Sequence, residues 1–182
     1  MGKMILFYFV LLLCFSGIVA YNAGTSWWNG DAFVALRTNG TVVAWGNSLS
    51  GRGTAPIGLT DVQTIYSAYM AFAALKTDGT VVAWGAPFHG GTVPIGLTNV
   101  QAIYSAGSAF AALKTNGTVV AWGDASNGGT APSGLTNVQT IYSTTNAFAA
   151  LRTNGTVVVW GNTEYGGSAP SSGLTNIQTI YS

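Results

Sequence analysis

The sequence is poor in charged residues. Asp, Glu, Lys and Arg make up 6% of its 182 residues, whereas about a quarter is usual for a soluble domain. The formal net charge is +1, and the basic side chains are scattered along the chain. A protein that binds nucleic acid or an anionic membrane surface needs clustered Lys and Arg to meet the phosphates. We therefore expect no nucleic-acid partner, and contact with a membrane only through the N-terminal segment, if that segment is retained.

Residues that carry out chemistry are equally scarce. The sequence contains one His (His89), one Cys (Cys14) and five acidic residues. A catalytic site needs several titratable groups that converge, and a metal site needs His, Cys, Asp or Glu at ligand spacing. Neither pattern occurs in this sequence. We expect a protein that is not an enzyme and has no metal site and no cofactor.

The N-terminal segment has the pattern of a secretory signal peptide. Lys3 supplies the positive start, residues 4–13 are apolar, and Ala20 offers a small residue at the expected cleavage point. We predict a signal peptide over residues 1–20, a mature domain over residues 21–182, and a secreted or cell-surface location. A retained membrane anchor is the alternative, although the apolar stretch is short for a full membrane span.

The rest of the chain repeats one pattern four times. An apolar strand is followed by Asn-Gly or Asp-Gly and then by a second apolar strand ending in Trp-Gly, as in residues 147–161. The copies start near residues 32, 71, 109 and 147. A period of about 38 residues is typical of repeat architectures and not of an ordinary globular domain. The pattern predicts an all-β propeller or propeller-like array.

Each repeat is predicted to form a small antiparallel sheet of three to four strands. A Val-Gln-x-Ile-Tyr-Ser segment precedes the two strands of the hairpin in the later copies. Asn-Gly and Asp-Gly favour a type I′ turn, in which both turn residues have positive φ. A short fourth edge strand near residues 54–57 and their equivalents is a further possibility, since Pro is confined to edges and turns.

The segment after each Trp-Gly differs between copies in sequence and in length. The rest of the frame is constant, because the same number of residues separates Tyr66 from Trp84 and Tyr104 from Trp122. Loops tolerate such variation and often carry binding residues. Our candidate ligand-binding residues are Ser48, Arg52, Phe88, His89, Asp124, Asn127, Glu164 and Tyr165.

Residues 74–85, Ala-Leu-Lys-Thr-Asp-Gly-Thr-Val-Val-Ala-Trp-Gly, resemble the core of the regulator-of-chromosome-condensation repeat. The resemblance covers residues 32–182 and implies a β-propeller of four-stranded blades, which in this family usually form a closed ring of seven. This chain has four shorter repeats, and it lacks the Gly-Gln-Leu-Gly run that follows Trp-Gly in the family. The resemblance therefore implies the fold but not the nucleotide-exchange activity of the founding member. Closure of the ring by one chain stays open.

Three Asn-Gly-Thr sites match the acceptor pattern for N-glycosylation in a secreted eukaryotic chain. They are Asn39, Asn116 and Asn154. The turn already accounts for Asn-Gly at these positions, so the pattern has two explanations.

Three functions remain open at this point. The first is a secreted or cell-surface non-catalytic module that binds a protein through the variable loops. The second is a propeller lectin that binds glycans, which the six Trp residues and the repetition suggest. The third is a structural segment of a larger repeat protein.

Overall fold

The computed structural model describes residues 31–48, 52–172 and 174–182. The predicted signal peptide and residues 21–30 lie outside these ranges. The described chain folds into eleven β-strands and three short 3-10 turns, which confirms the all-β fold. Within the same ranges there is no helix of the length and apolarity that crossing a bilayer requires.

The strands form four small antiparallel sheets in chain order. The first sheet is β1–β2, and each of the other three has the order first, second, third strand, as β3–β4–β5, β6–β7–β8 and β9–β10–β11. No fourth strand is found in any sheet among the described residues. The strand bounds are β1 Ala32–Leu36, β2 Val42–Gly46, β3 Val62–Ala68, β4 Ala71–Lys76, β5 Val81–Gly85, β6 Val100–Ser105, β7 Ala109–Lys114, β8 Val119–Gly123, β9 Val138–Ser143, β10 Ala147–Arg152 and β11 Val157–Gly161.

The hairpin turns occur where they were predicted, but their type is different. In the fourth sheet Gly155 has φ of 77°, whereas Asn154 is not among the residues with positive φ. The N–H of Gly155 donates to the carbonyl of Arg152 at 2.9 Å. A type I turn followed by a left-handed Gly therefore replaces type I′, because the loop has three residues and not two. The prediction of two positive φ angles was wrong.

Successive sheets pack face to face, and each contact uses the same residues. Ala109, Ala111 and Leu113 of β7 lie in one buried cluster with Phe148 and Trp160 of the fourth sheet. The small Ala side chains let the aromatic rings of the following sheet approach closely. In every sheet the Phe and Trp rings stack, with centroids 5.2–5.5 Å apart. The middle strands of the inner sheets, β4 and β7, are buried on both faces, which explains why they do not alternate apolar and polar residues.

A backbone hydrogen bond also links each hairpin to the following sheet. The N–H of Val62, Val100 and Val138 donates to the Gly carbonyl of the preceding hairpin turn, at 3.0 Å in each case. Residues just before these valines (Asp61, Asn99 and Asn137) adopt positive φ of 56–58°, which Asn and Asp tolerate better than other side chains. The result is a row of sheets joined both by side-chain packing and by the backbone.

Candidate binding surface

A short 3-10 turn follows Trp-Gly in the last three sheets, at Pro87–His89, Ala125–Asn127 and Thr163–Tyr165. Polar side chains cap two of them. The carboxylate of Asp124 accepts from the backbone N–H of Ser126 at 2.9 Å and from the side-chain N–H of Asn127 at 2.7 Å. Asn162 accepts from the N–H of Glu164 at 3.0 Å. These bonds fix the start of each turn.

The end of the turn is fixed by the aromatic pair of the following sheet. The carbonyl of Gly90 accepts from Trp122 Nε1 at 3.0 Å, and that of Gly128 accepts from Trp160 Nε1 at 2.9 Å. Both glycines have φ of 93°. The variable loops with the first two of these turns are therefore anchored by a hydrogen bond where they cross to the following sheet. We call the surface formed by these turns and by the connections β3–β4, β6–β7 and β9–β10 the loop face.

One part of the loop face carries an aromatic cluster. The ring of His89 lies edge-on to Tyr69 and to Phe88, with centroids 5.9 and 5.6 Å apart. Its Nδ1 lies 2.8 Å from the hydroxyl of Ser108 in the following sheet. Tyr69 and Phe88 remain 53% and 66% exposed. We call these three rings the aromatic cluster, and it presents an apolar surface to solvent at the junction of two sheets.

The predicted site residues divide into three groups. Ser48, Phe88, Glu164 and Tyr165 are exposed on or beside their loops. His89, Asp124 and Asn127 are partly buried and bonded within the protein. Arg52 is a correction, because its side chain is only 4% exposed and its guanidinium binds Asp31 at 3.0 Å. The side chain is therefore buried and does not project into solvent. The carboxylate of Asp31 offsets the cost of burying its charge. A ligand-binding role for the other residues stays a prediction.

Tyr69 was missed by the sequence argument. It lies in the β3–β4 connection, where Tyr69-Met70 corresponds to Gly107-Ser108 and Thr145-Asn146 in the following sheets. Those residues differ between copies as much as the residues after Trp-Gly do. Comparing the copies at this connection as well would have identified it.

The loop face carries few acidic or basic side chains. No three His, Cys, Asp or Glu side chains among the described residues lie close enough to hold a metal ion. Asp78 lies at the opposite end of the sheets, in the second hairpin turn. There the hydroxyl and the backbone N–H of Thr80, with a smaller contribution from Lys76, hold the pKa of Asp78 below its ordinary value.

The positions of the repeat Trp residues and of the Asn-Gly-Thr sites bear on the glycan-binding and N-glycosylation hypotheses. Trp84, Trp122 and Trp160 are 5–6% exposed and belong to the buried clusters, so sugar stacking on them would require the sheets to separate. The Asn residues of the three Asn-Gly-Thr sites are exposed at the hairpin ends, and each accepts two hydrogen bonds from the following Thr. Modification of these sites stays a prediction.

The row of sheets has an RCC1-like β-propeller repeat fold. No family model and no curated protein matches the chain. Among solved structures it is similar to the ectodomain of the Physcomitrella patens receptor kinase CR4 (21% identity, TM-score 0.55), covering 76% of this chain and 38% of that one. It is also similar to Prp20p of Saccharomyces cerevisiae, the yeast RCC1, which binds Gsp1p and histones. The identity is 18% and the TM-score 0.56, and the match covers 81% of this chain and 47% of that one. Human WBSCR16 is similar with 17% identity and a TM-score of 0.53, and the match covers 81% of this chain and 48% of that one. The chain thus spans less than half the length of each of these proteins.

Proposed function

We propose that the chain is a non-catalytic binding module that holds a protein partner on its loop face, centred on the aromatic cluster. The observation that carries this proposal is the exposure of Tyr69 and Phe88 at 53% and 66% beside the ring that joins them. Aromatic side chains are enriched in protein interfaces, and Tyr is among the residues that often contribute most of the binding energy. The two residues lie on connections whose sequence differs between repeats, which suits a binding surface that is specific to one repeat.

Similar proteins support the same kind of role. Prp20p binds Gsp1p and histones, so a propeller of this kind can serve as a platform for other proteins. The receptor-kinase ectodomain is a second similar fold. With the predicted signal peptide over residues 1–20, we propose that the chain acts outside the cell or on its surface. A partner in that location is a secreted protein or the outer domain of a membrane protein.

The proposal is tested by recovering partners with the full chain and with a double variant, Tyr69→Ser with Phe88→Ser. Immobilised protein is incubated with secreted and surface proteins of the source cells, and the bound proteins are quantified by mass spectrometry. Truncation of a central interface aromatic costs more than about 1 kcal/mol, so two of them should lower recovery of a true partner at least about tenfold.

The matched control is the double variant Ile57→Ser with Ile95→Ser. These side chains are fully exposed and lie outside the loop face, so the control removes a similar apolar area. A partner should be retained by the control and lost from the aromatic variant. Equal recovery by both variants would exclude the aromatic cluster as the binding surface.

A glycan partner is the alternative, and the exposed rings of Tyr69, Phe88 and Tyr165 supply the faces that sugar stacking needs. It is distinguished by a glycan array probed with the full chain and with the aromatic variant. A glycan signal that the full chain gives and the aromatic variant loses would identify the partner as a glycan and not a protein. A third alternative, a segment of a larger repeat protein, is consistent with the share of similar proteins that the chain spans.

A further inference from the structure

The two ends of the row of sheets carry complementary halves of the contact that joins its inner sheets. At one end Phe33 and Trp45 of the first sheet stack on each other but are 66% and 49% exposed. The equivalent pairs in the other three sheets are at most 6% exposed. The first sheet thus presents an aromatic pair that has the geometry of the buried pairs, but no other sheet of the described residues covers it.

At the other end, the fourth sheet presents the socket that such a pair fills. A largely apolar cavity of about 430 Å³ lies against Ala147, Ala149, Val157 and Val159. The corresponding face of the third sheet, including Ala109 and Ala111 of β7, is covered by Phe148 and Trp160. Gly166 ends the last 3-10 turn with φ of 99°. A Cβ at that position would meet one atom of Thr144, whereas a Cβ at Gly128 would meet the ring of Phe148.

The backbone shows the same complementarity. Residues 177–182, Ile-Gln-Thr-Ile-Tyr-Ser, repeat the sequence of β9 with Ile in place of Val. The N–H of Ile177 donates to the carbonyl of Gly155 at 2.9 Å, as the first residues of β3, β6 and β9 donate to the Gly carbonyl of the hairpin turn in the preceding sheet. This segment pairs with no strand among the described residues, and Tyr181 is 90% exposed. It has the position of the first strand of a further sheet.

Among residues 31–48, 52–172 and 174–182, the first sheet is the one without such a strand. Within the described chain it is two-stranded, and the edge of β1 that β4, β7 and β10 use to pair with a first strand has no partner. The residues at the equivalent positions before β1, 23–28, read Ala-Gly-Thr-Ser-Trp-Trp and share only Thr with Val-Gln-Thr-Ile-Tyr-Ser. Residues 177–182 are a much better match for this edge, and an unpaired edge favours addition of a strand.

We propose that two copies of this chain close head to tail into one ring. In this ring residues 177–182 of each copy complete the first sheet of the other, and Phe33 and Trp45 fill the other copy's socket. Two copies supply eight sheets, four from each, and propellers of four to eight blades close into a ring. A two-fold axis makes the two junctions identical. The register of β9 on β10 then pairs Phe33 with Ser182, Val34 with Tyr181, Ala35 with Ile180 and Leu36 with Thr179.

The first test is the mass of the full chain in solution, measured by light scattering across a dilution series. We expect twice the mass that intact mass spectrometry gives for one chain, and Trp45→Ser should halve it. Ile95→Ser, at a fully exposed site away from both ends, should leave the dimer intact. A chain that is monomeric at every concentration, or a Trp45→Ser variant that stays dimeric, would overturn the proposal.

The second test measures the register and does not depend on how well Trp45→Ser folds. The full chain carries Cys14→Ser, Val34→Cys and Tyr181→Cys, and is treated with a short bismaleimide. Directly opposed residues of paired strands have Cβ atoms about 5 Å apart, so cross-linked dimers should form. Tyr142→Cys with Ala149→Cys, the same register position inside the fourth sheet, is the control and should link within one chain. Links within one chain at Val34 and Tyr181, a ladder of larger species, or no link would each overturn two-copy closure.

Discussion

Gly90 and Gly128 lie where the loop of one sheet passes over the aromatic pair of the following sheet. A Cβ at Gly128 would come 2.6 Å from Cδ2 of Phe148, and its φ is 93°. Both facts forbid a side chain, so the residue serves sheet packing and not ligand binding. The same residues looked from sequence like ordinary loop glycines. Their requirement depends on an aromatic ring twenty positions further along the chain, which local sequence cannot show.

Gly128→Ala should therefore destabilise the protein strongly. The left-handed backbone costs about 1–2 kcal/mol for a residue with a Cβ, and overpacking against Phe148 adds about 1–3 kcal/mol. Gly134→Ala is the matched control, because Gly134 also has positive φ but no atom lies within 4 Å of a Cβ there. In urea unfolding, Gly128→Ala should lower the free energy of unfolding by about 1–3 kcal/mol more than Gly134→Ala does. Equal losses would mean that Phe148 moves aside freely.

Asp78 replaces the Asn found in the other three hairpin turns, and its pKa is lowered. The causes, in order, are hydrogen bonds from the hydroxyl and backbone of Thr80 and then the charge of Lys76, 3.9 Å away. A pKa below the unfolded value of 3.8 adds stability above that pH, and the stability is lost as pH falls through the folded pKa. Asp78→Asn should therefore lower the melting temperature slightly at neutral pH, and the difference should vanish in acid. The effect is small because the side chain is exposed. A difference that stays constant with pH would contradict this account.

At the scale of strands and turns, the sequence was most informative where one contact recurs. Trp84, Trp122 and Trp160 are buried because each of these copies meets the same neighbour, whereas Trp45, at the same position of the first copy, is 49% exposed. The strands were predicted for the same reason. The exact turn type was not, because Asn-Gly fits both a two-residue loop and the second and third residues of a three-residue loop. Arg52 was misplaced because its partner Asp31 belongs to a different part of the repeat.

The caps of the 3-10 turns allow a test at this scale. Asp124→Ala removes the acceptor of bonds from Ser126 and Asn127, and should cost about 0.5–2 kcal/mol in urea unfolding, as the loss of a capping residue does. The chain supplies its own control, because Asn162 caps the equivalent turn. Asp124→Asn should retain most of the stability. If Asp124→Asn is as unstable as Asp124→Ala, the charge of the carboxylate matters more than its capping geometry.

At the scale of the whole molecule, stability should be graded along the row of sheets. In an array where each unit contacts its neighbours, inner units gain two interfaces and end units one. In β7, five of six residues are at most 1% exposed. In β1, Phe33 is largely exposed and one edge is unpaired within the described chain. Opening of the row should therefore begin at its ends.

Amide hydrogen exchange of the Trp45→Ser variant, read by mass spectrometry, measures this gradient without the partner copy. Strands β1 and β2 should exchange first and β7 last, with β10 between them. In the unmodified chain at high concentration the first sheet should become as protected as the second, because its edge and its aromatic pair are then covered. Uniform exchange of all four sheets in the variant would show that the row opens in a single step, and the nearest-neighbour description of its stability would then be wrong.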